Sequence, residues 1–355
     1  MAALSIRKRL ALEVARRIRN NRKELHPLKQ LFWECTQRCN LHCKHCGSDC
    51  KRTSEVKDMP AADFLRVIDS ITPHVNPREV NIVITGGEPL MRDDLEEVGL
   101  ALYRRGYPWG LVSNGLYLTA ERLQGLMEAG LHAITISLDG FADEHNWLRG
   151  HPDSYDRAMD AIKRLVREPE LTWDVVTCVN RRNYPHLEAI KSSLYNSGVR
   201  HWRLFTIFPV GRAARHPELQ LTDEEFTGLM EFIKGVRKEK KMHLSYGCEG
   251  FLGNYEGDVR DNFYSCNAGI SVGSVLIDGT ISACLSIRSN FHQGNIYRDD
   301  FIEVWENRFH AFRHREWMKK GACADCSFFR YCEGNGMHLR DEMGEPLLCH
   351  LKRLS

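Results

Sequence analysis

Between residues 31 and 240 the chain alternates short apolar, β-branched runs with longer stretches whose apolar residues recur every three or four positions. The short runs, 31–35, 80–85, 110–113, 133–138, 173–179 and 202–208, predict strands. The stretches near 61–71, 93–105, 119–129, 154–167, 184–196 and 222–240 predict helices. Such alternation implies parallel strands joined by crossover helices. Six units are too few for a closed eight-stranded barrel, so the expected fold class is α/β, a partial (β/α)6 TIM-like barrel. Chemistry in such a barrel sits at the C-terminal ends of the strands.

The flanks read differently. Residues 4–25 predict a basic amphipathic helix with Leu10, Val14 and Ile18 at helical spacing. The simpler expectation is a capping helix packed under the main domain, with membrane-surface or partner docking as the alternative. After residue 242 the periodicity fails and Gly, Asn and Cys become frequent. Residues 274–284 predict a hairpin turning at Asp278-Gly279, followed by a short helix near 299–313 and a cysteine-rich tail. The expected domains are 1–29, an N-terminal helix; 30–242, the barrel; and 243–355, a metal-dependent C-terminal domain.

Composition narrows the function. A formal net charge of +2 argues against a general nucleic-acid binder, although residues 1–30 carry nine Lys or Arg against Glu13 and Glu24. Thirteen cysteines without a signal peptide point to a reducing, cytoplasmic setting and to metal binding. No run of eighteen apolar residues predicts a transmembrane segment.

The first cysteine group, Cys39-Asn-Leu-His-Cys43-Lys-His-Cys46, follows the first strand. Three thiolates can ligate three irons of a cubane and leave the fourth open, and an open position separates a catalytic from a structural site. A zinc knuckle drawing a fourth thiol from Cys35 or Cys50 is the alternative. The C-x3-C-x2-C spacing, with Thr85-Gly86-Gly87-Glu88-Pro89 after the second strand, resembles the radical S-adenosylmethionine superfamily. The resemblance implies a [4Fe–4S] cluster on Cys39, Cys43 and Cys46. It implies S-adenosylmethionine held by Gly86, Gly87 and Glu88 at its amine, by Ser113 and Asn114 near the ribose, and by Ser137 and Arg149 at its carboxylate. His45 stands where the family usually has an aromatic residue near the adenine. Cys35 and Cys178 fall within predicted strands and are expected as buried apolar thiols.

The C-terminal pattern, Cys266-x12-Gly279-x4-Cys284, then Cys323-x2-Cys326-x5-Cys332, then Cys349, resembles the SPASM auxiliary-cluster domain. By that resemblance Cys323, Cys326, Cys332 and Cys349 ligate one [4Fe–4S] cluster; a four-cysteine zinc site is the alternative. The family has a further cysteine where this chain has Gly336. That leaves a cluster on Cys266 and Cys284 one ligand short, unless Cys248 joins it. Such a cluster could have an open iron, have fewer irons or be absent.

The implied activity is reductive cleavage of S-adenosylmethionine to a 5′-deoxyadenosyl radical, with C–H abstraction from a peptide or protein. The implied electron donor is reduced ferredoxin or flavodoxin. Sulfatase-maturing relatives carry an acid after the cysteine matching Cys284; Leu285 stands there instead. Peptide-modifying relatives often carry a leader-binding domain longer than the stretch before the first strand, so a separate leader-binding protein or a leaderless substrate would be needed. The flanks of Cys35 and Cys50 resemble a subgroup encoded beside a small lipoprotein. The rival readings are a small-molecule enzyme like the decarboxylases of haem-precursor synthesis, and a noncatalytic iron–sulfur or zinc scaffold.

Overall fold

The computed structural model describes residues 4–287 and 291–354. The chain opens with α1 (Ile6–Leu25), β1 (Gln30–Thr36), α2 (Ala61–Ile71), β2 (Asn81–Gly86), α3 (Leu95–Arg104) and β3 (Trp109–Ser113). It continues through α4 (Ala120–Glu128), β4 (Leu131–Ser137), α5 (Ala142–Arg149), α6 (Ser154–Leu165), β5 (Thr172–Val179), α7 (Leu187–Asn196), β6 (His201–Thr206), α8 (Asp223–Glu239) and β7 (His243–Tyr246). The rest holds β8 (Val272–Val275), β9 (Thr280–Ser282), β10 (Gly294–Asn295), α9 (Phe301–Asn307), α10 (His310–Arg313), α11 (Phe329–Cys332) and α12 (His350–Arg353).

Strands β1 to β7 pair in sequence order, each parallel to the next, with helices as crossovers. The six expected units are present, and β7 adds a seventh strand beside β6. Its four residues are too short to show a period, which is why the pattern hides it. The sheet therefore runs past residue 242. It also extends the other way, because β8 pairs parallel with β1, and β9 and β10 follow antiparallel. The hairpin turns at Asp278-Gly279 as expected, with Gly279 at φ 84°. One ten-stranded sheet thus carries both the barrel and the start of the cysteine-rich region.

The core lies between sheet and helices. On β1, Leu31, Trp33 and Cys35 face outward and are fully buried. Trp33 stacks on Phe64 of α2 at 4.5 Å, with the Arg92 guanidinium 5.0 Å from the indole. The alternate residues Phe32 and Glu34 face the barrel interior. The register shifts between Glu34 and Thr36, a bulge at Cys35 that bends the strand just before the cysteine loop.

Helix α1 forms where expected. Its buried side chains are Leu12 and Arg19; Leu12 joins Leu4, Phe251, Tyr264 and Leu351. Arg19 donates to the Arg330 and Tyr331 carbonyls of α11, and Lys23 pairs with Glu333 at 2.6 Å. Ile6, Leu10, Val14 and Ile18 are 80%, 64%, 58% and 55% exposed. The apolar residues at helical spacing, Leu10, Val14 and Ile18, thus lie outside the contact, and Arg19 and Lys23 dock the helix through carbonyls and Glu333. No helix among the described residues is long and apolar enough to cross a membrane.

Trp33→Ala removes a fully buried indole and its stack on Phe64. It should cost about 3–5 kcal/mol, the range for large-to-small aromatic truncations, read as a lower denaturant midpoint at unchanged slope.

Candidate active site and auxiliary cysteine sets

The loop after β1 is clasped from several sides. Arg38 and Thr36 both bond Asp58, at 2.6 Å each, closing its base. Lys44 N–H donates to Leu148 O at 2.8 Å, tying it to α5. Arg212, from beyond β6, donates to the Cys43 and Cys50 carbonyls at 2.7 Å each and to Asp49 at 2.8 Å. Arg212 gave no signal in the sequence, since only the fold shows that the segment after β6 returns to the cysteine loop.

Within this clasp Cys39 and Cys43 are buried, with Cys46 and Cys50 beside them. Burial pushes the Cys39 thiol up to about 12 and raises Cys43, whose sulfur lies 3.9 Å from Arg149 Nη1. A hydrogen bond from the Cys50 thiol brings Cys46 below the usual thiol range. Buried thiols of raised pKa do not ionise alone at neutral pH. A cationic metal centre supplies the charge that deprotonates them, so this donor set fits a thiolate-bound cluster.

The strand-end motifs converge beside this loop. Glu88 is buried and accepts from Ser113 Oγ at 2.8 Å, Asn114 N at 2.8 Å and Leu90 N at 3.2 Å. Three of a carboxylate's roughly four acceptor sites are thus filled, leaving about one for a ligand. The glycines before it serve the chain itself. A Cβ on Gly87 would stand 2.2 Å from Arg38 O, and one on Gly86, at φ 151°, 2.1 Å from Thr36 O. Gly87 N and Glu88 N donate to the Thr36 and Arg38 carbonyls at 2.7 and 2.9 Å, so these glycines also let two loops approach closely. Asn114 Nδ2 reaches Asn40 at 2.7 Å and the Cys39 sulfur at 4.0 Å.

At the end of β4, Asp139 is fully buried. It accepts from Arg149 Nε at 2.6 Å and from Cys178 N at 2.8 Å. Burial pushes its carboxyl up, but Arg149, with His45 and His145, brings it below the usual range. Ser137, two residues earlier at the end of β4, is also buried. Arg149 is buried, not a surface ion pair. His45, with an unpartnered Nδ1, lies with Asp139 and Cys178 so that their ligating atoms fall within 4.8 Å. Cys178 therefore faces the site, correcting its reading as an apolar-core thiol; Cys35 is fully buried as expected.

The C-terminal cysteines form two neighbourhoods. The thiols of Cys323, Cys326 and Cys349 act electrostatically on Cys332, and Arg340 Nη2 lies 3.4 Å from the Cys323 sulfur. Cys266 and Cys284 act in the same way on Cys248, so the structure brings Cys248 to the incomplete pair. Tyr264 Oη and Ser265 Oγ are buried here without partners, and Tyr264 feels Cys266, Cys332 and Cys248. Cluster sulfides accept hydrogen bonds, so orphaned hydroxyls among the thiols fit iron–sulfur ligation. Buried Arg315, also silent in the sequence, adds positive charge beside Cys266.

A cavity of about 290 Å³ joins the two regions. Gly47, Ser48, Thr85 and Gly86 wall it from the barrel, Phe32, Glu34 and Phe208 line it, and Cys284, Leu285 and Ser286 close it. Glu34 accepts from Ile277 N at 3.4 Å.

A model of the radical SAM superfamily matches residues 33–194, and one of an iron–sulfur cluster-binding domain, SPASM, matches 266–327. The mycofactocin maturase MftC of Mycolicibacterium smegmatis is 30% identical over 89% of this chain and 80% of its own. The chain belongs to the radical SAM superfamily. An AdoMet-dependent heme synthase of Oleidesulfovibrio alaskensis is 28% identical over 88% of this chain and 85% of its own. SuiB of Streptococcus suis, solved with S-adenosylmethionine, superposes with a TM-score of 0.69 at 16% identity, covering 90% of this chain and 76% of SuiB. This radical SAM/SPASM enzyme uses [4Fe–4S] clusters and S-adenosylmethionine.

The pH dependence of stability follows from His145. Burial, and then Arg149, hold its imidazole down at about 3, and it accepts from Asp139 N while bonding Ser154 Oγ. Unfolded, it takes up a proton near pH 6.5, so its stabilising contribution is full above that and declines as pH falls. His145 alone should contribute a fall of about 1.4 kcal/mol per pH unit below 6.5, and denaturant midpoints should show a shallower slope in His145→Gln.

Proposed function

We propose that this radical SAM/SPASM enzyme acts on a small molecule, a side chain of a haem-precursor tetrapyrrole. The observation that carries the reading is similarity along nearly the whole chain to AdoMet-dependent heme synthases, at 28% and 27% identity over 85% and 92% of those proteins. The cavity agrees in character. Its Phe32, Phe208 and Leu285 walls suit one flat, apolar ring edge, and its volume of about 290 Å³ admits that edge rather than a macrocycle. A peptide substrate is the second reading, favoured by 30% identity to MftC. It would carry with it the precursor-peptide or lipoprotein partner.

In this reading Cys39, Cys43 and Cys46 hold the catalytic cluster. When bound, cluster and S-adenosylmethionine together supply the 5′-deoxyadenosyl radical. The remaining acceptor site of Glu88 takes the methionine ammonium, with Gly86 and Gly87 setting its position. Arg149, already fixed on Asp139 through Nε and against the Cys43 sulfur through Nη1, presents Nη2 to the carboxylate beside Ser137. Ser113 and Asn114 are oriented by Glu88 toward the ribose, and neutral His45 borders the adenine. Cys323, Cys326, Cys332 and Cys349 hold one auxiliary cluster, and Cys248, Cys266 and Cys284 another. Phe208 and Leu285 exclude water from the cavity between.

Changing Cys39, Cys43 and Cys46 together to Ala should abolish 5′-deoxyadenosine formation from S-adenosylmethionine and dithionite, while C-terminal iron remains. For wild type, iron coproporphyrin III should raise 5′-deoxyadenosine output and lose carboxylate mass. A precursor peptide that does so instead would replace the tetrapyrrole reading with the peptide one.

Cys248→Ala tests the auxiliary assignment. Reconstituted wild type should hold about twelve irons, four for each of three clusters, and the variant up to about four fewer. Equal iron and identical Mössbauer spectra would make Cys248 merely structural.

A further inference from the structure

We infer that His338 supplies the ligand that Gly336 withholds, completing with Cys248, Cys266 and Cys284 the coordination of an auxiliary iron–sulfur cluster. The inference rests on reading those three thiols as one ligand set.

The space that a side chain at residue 336 would enter is filled by the His338 imidazole. A Cβ on Gly336 would lie 2.7 Å from His338 Cε1 and 2.9 Å from Nδ1. The ring and a thiol at 336 are therefore alternatives for one place. That place adjoins two members of the set. The same Cβ would lie 3.1 Å from the carbonyl of Glu249, next in the chain to Cys248. Met337, the residue before His338, donates its N–H to the Cys266 sulfur. On its other side the ring packs edge-on against Phe208 at 5.2 Å, and Phe208 lines the cavity that Cys284 closes.

The ring also has the chemistry. Neutral imidazole is the ligating form, and burial, opposed by Glu249, holds His338 down at about 4. Among the described residues, neither ring nitrogen is engaged in a hydrogen bond. Imidazole can replace thiolate on cluster iron, and the exchange raises the reduction potential because a neutral donor replaces an anionic one.

Pulsed EPR of the full-length enzyme tests this, reconstituted anaerobically, reduced with dithionite and kept free of S-adenosylmethionine. Wild type should hold about twelve irons and show a strongly coupled nitrogen that changes when histidine is isotopically labelled. His338→Ala should lose that coupling and up to a third of the iron. His338→Cys should keep the iron, lose the coupling and move one cluster to a more negative potential. About twelve irons with no coupled nitrogen in wild type, or coupling unchanged in either variant, would overturn the ligand assignment and leave the third cluster standing. About eight irons in wild type would overturn both.

Discussion

The barrel mouth depends on one buried ion pair, Asp139 with Arg149. Two charges out of water are costly unless each is satisfied by further bonds, and removing one partner of such a pair typically costs about 3–5 kcal/mol. Here the carboxylate takes Arg149 and the Cys178 amide. The Asp139 backbone is held as well, its carbonyl by Asn183 at 2.8 Å and its amide by His145 at 3.0 Å. Arg149 in turn lies against the Cys43 sulfur. The ends of β4 and β5, helix α5 and the cysteine loop are thereby one electrostatic unit. A thiolate-bound cluster carries negative charge, and Arg149 and Arg212 already stand where that charge would develop.

A second constraint is strand pairing. Because β8 pairs with β1 over Gln30↔Val272 to Trp33↔Val275, the hairpin leading to Cys284 is held in register with the strand leading to Cys39. The separation between the two cysteine regions is set by backbone hydrogen bonds rather than by a flexible linker. Glu34 and Phe32 face the gap from β1, and Leu285 and Ser286 face it from beyond β9. Such rigidity suits radical chemistry, where the reactive atom must be positioned and water excluded.

Much of this was legible in the sequence because it is periodic or local. Alternating strand and helix patterns located the six barrel units, and the motifs after the strands pointed to the site. What the sequence hid was non-local. Arg212 is one arginine among many until the chain folds back onto Cys43. Asp139 reads as part of a turn until burial makes it a hub. Cys178 has an apolar neighbourhood in sequence but alternates inward, toward His45. Helix α1 was legible as a helix, but not that Arg19 and Lys23 dock it through carbonyls and Glu333. The sequence likewise did not show that Gly86 and Gly87 lie against the Thr36 and Arg38 carbonyls.

The cavity bears on the choice of substrate more than the fold does. Superfamily members with peptide substrates share this fold, so the sheet alone cannot discriminate. What differs is the lining. The loop after Cys284 presents Leu285 to this cavity, and the acid lining it is Glu34, on β1. The cavity sets the apolar Phe32, Phe208 and Leu285 beside one carboxylate, Glu34, which already accepts from Ile277 N. A peptide would need backbone partners along its length, and the wall offers mainly Ser48, Thr85 and Ser286 for that purpose.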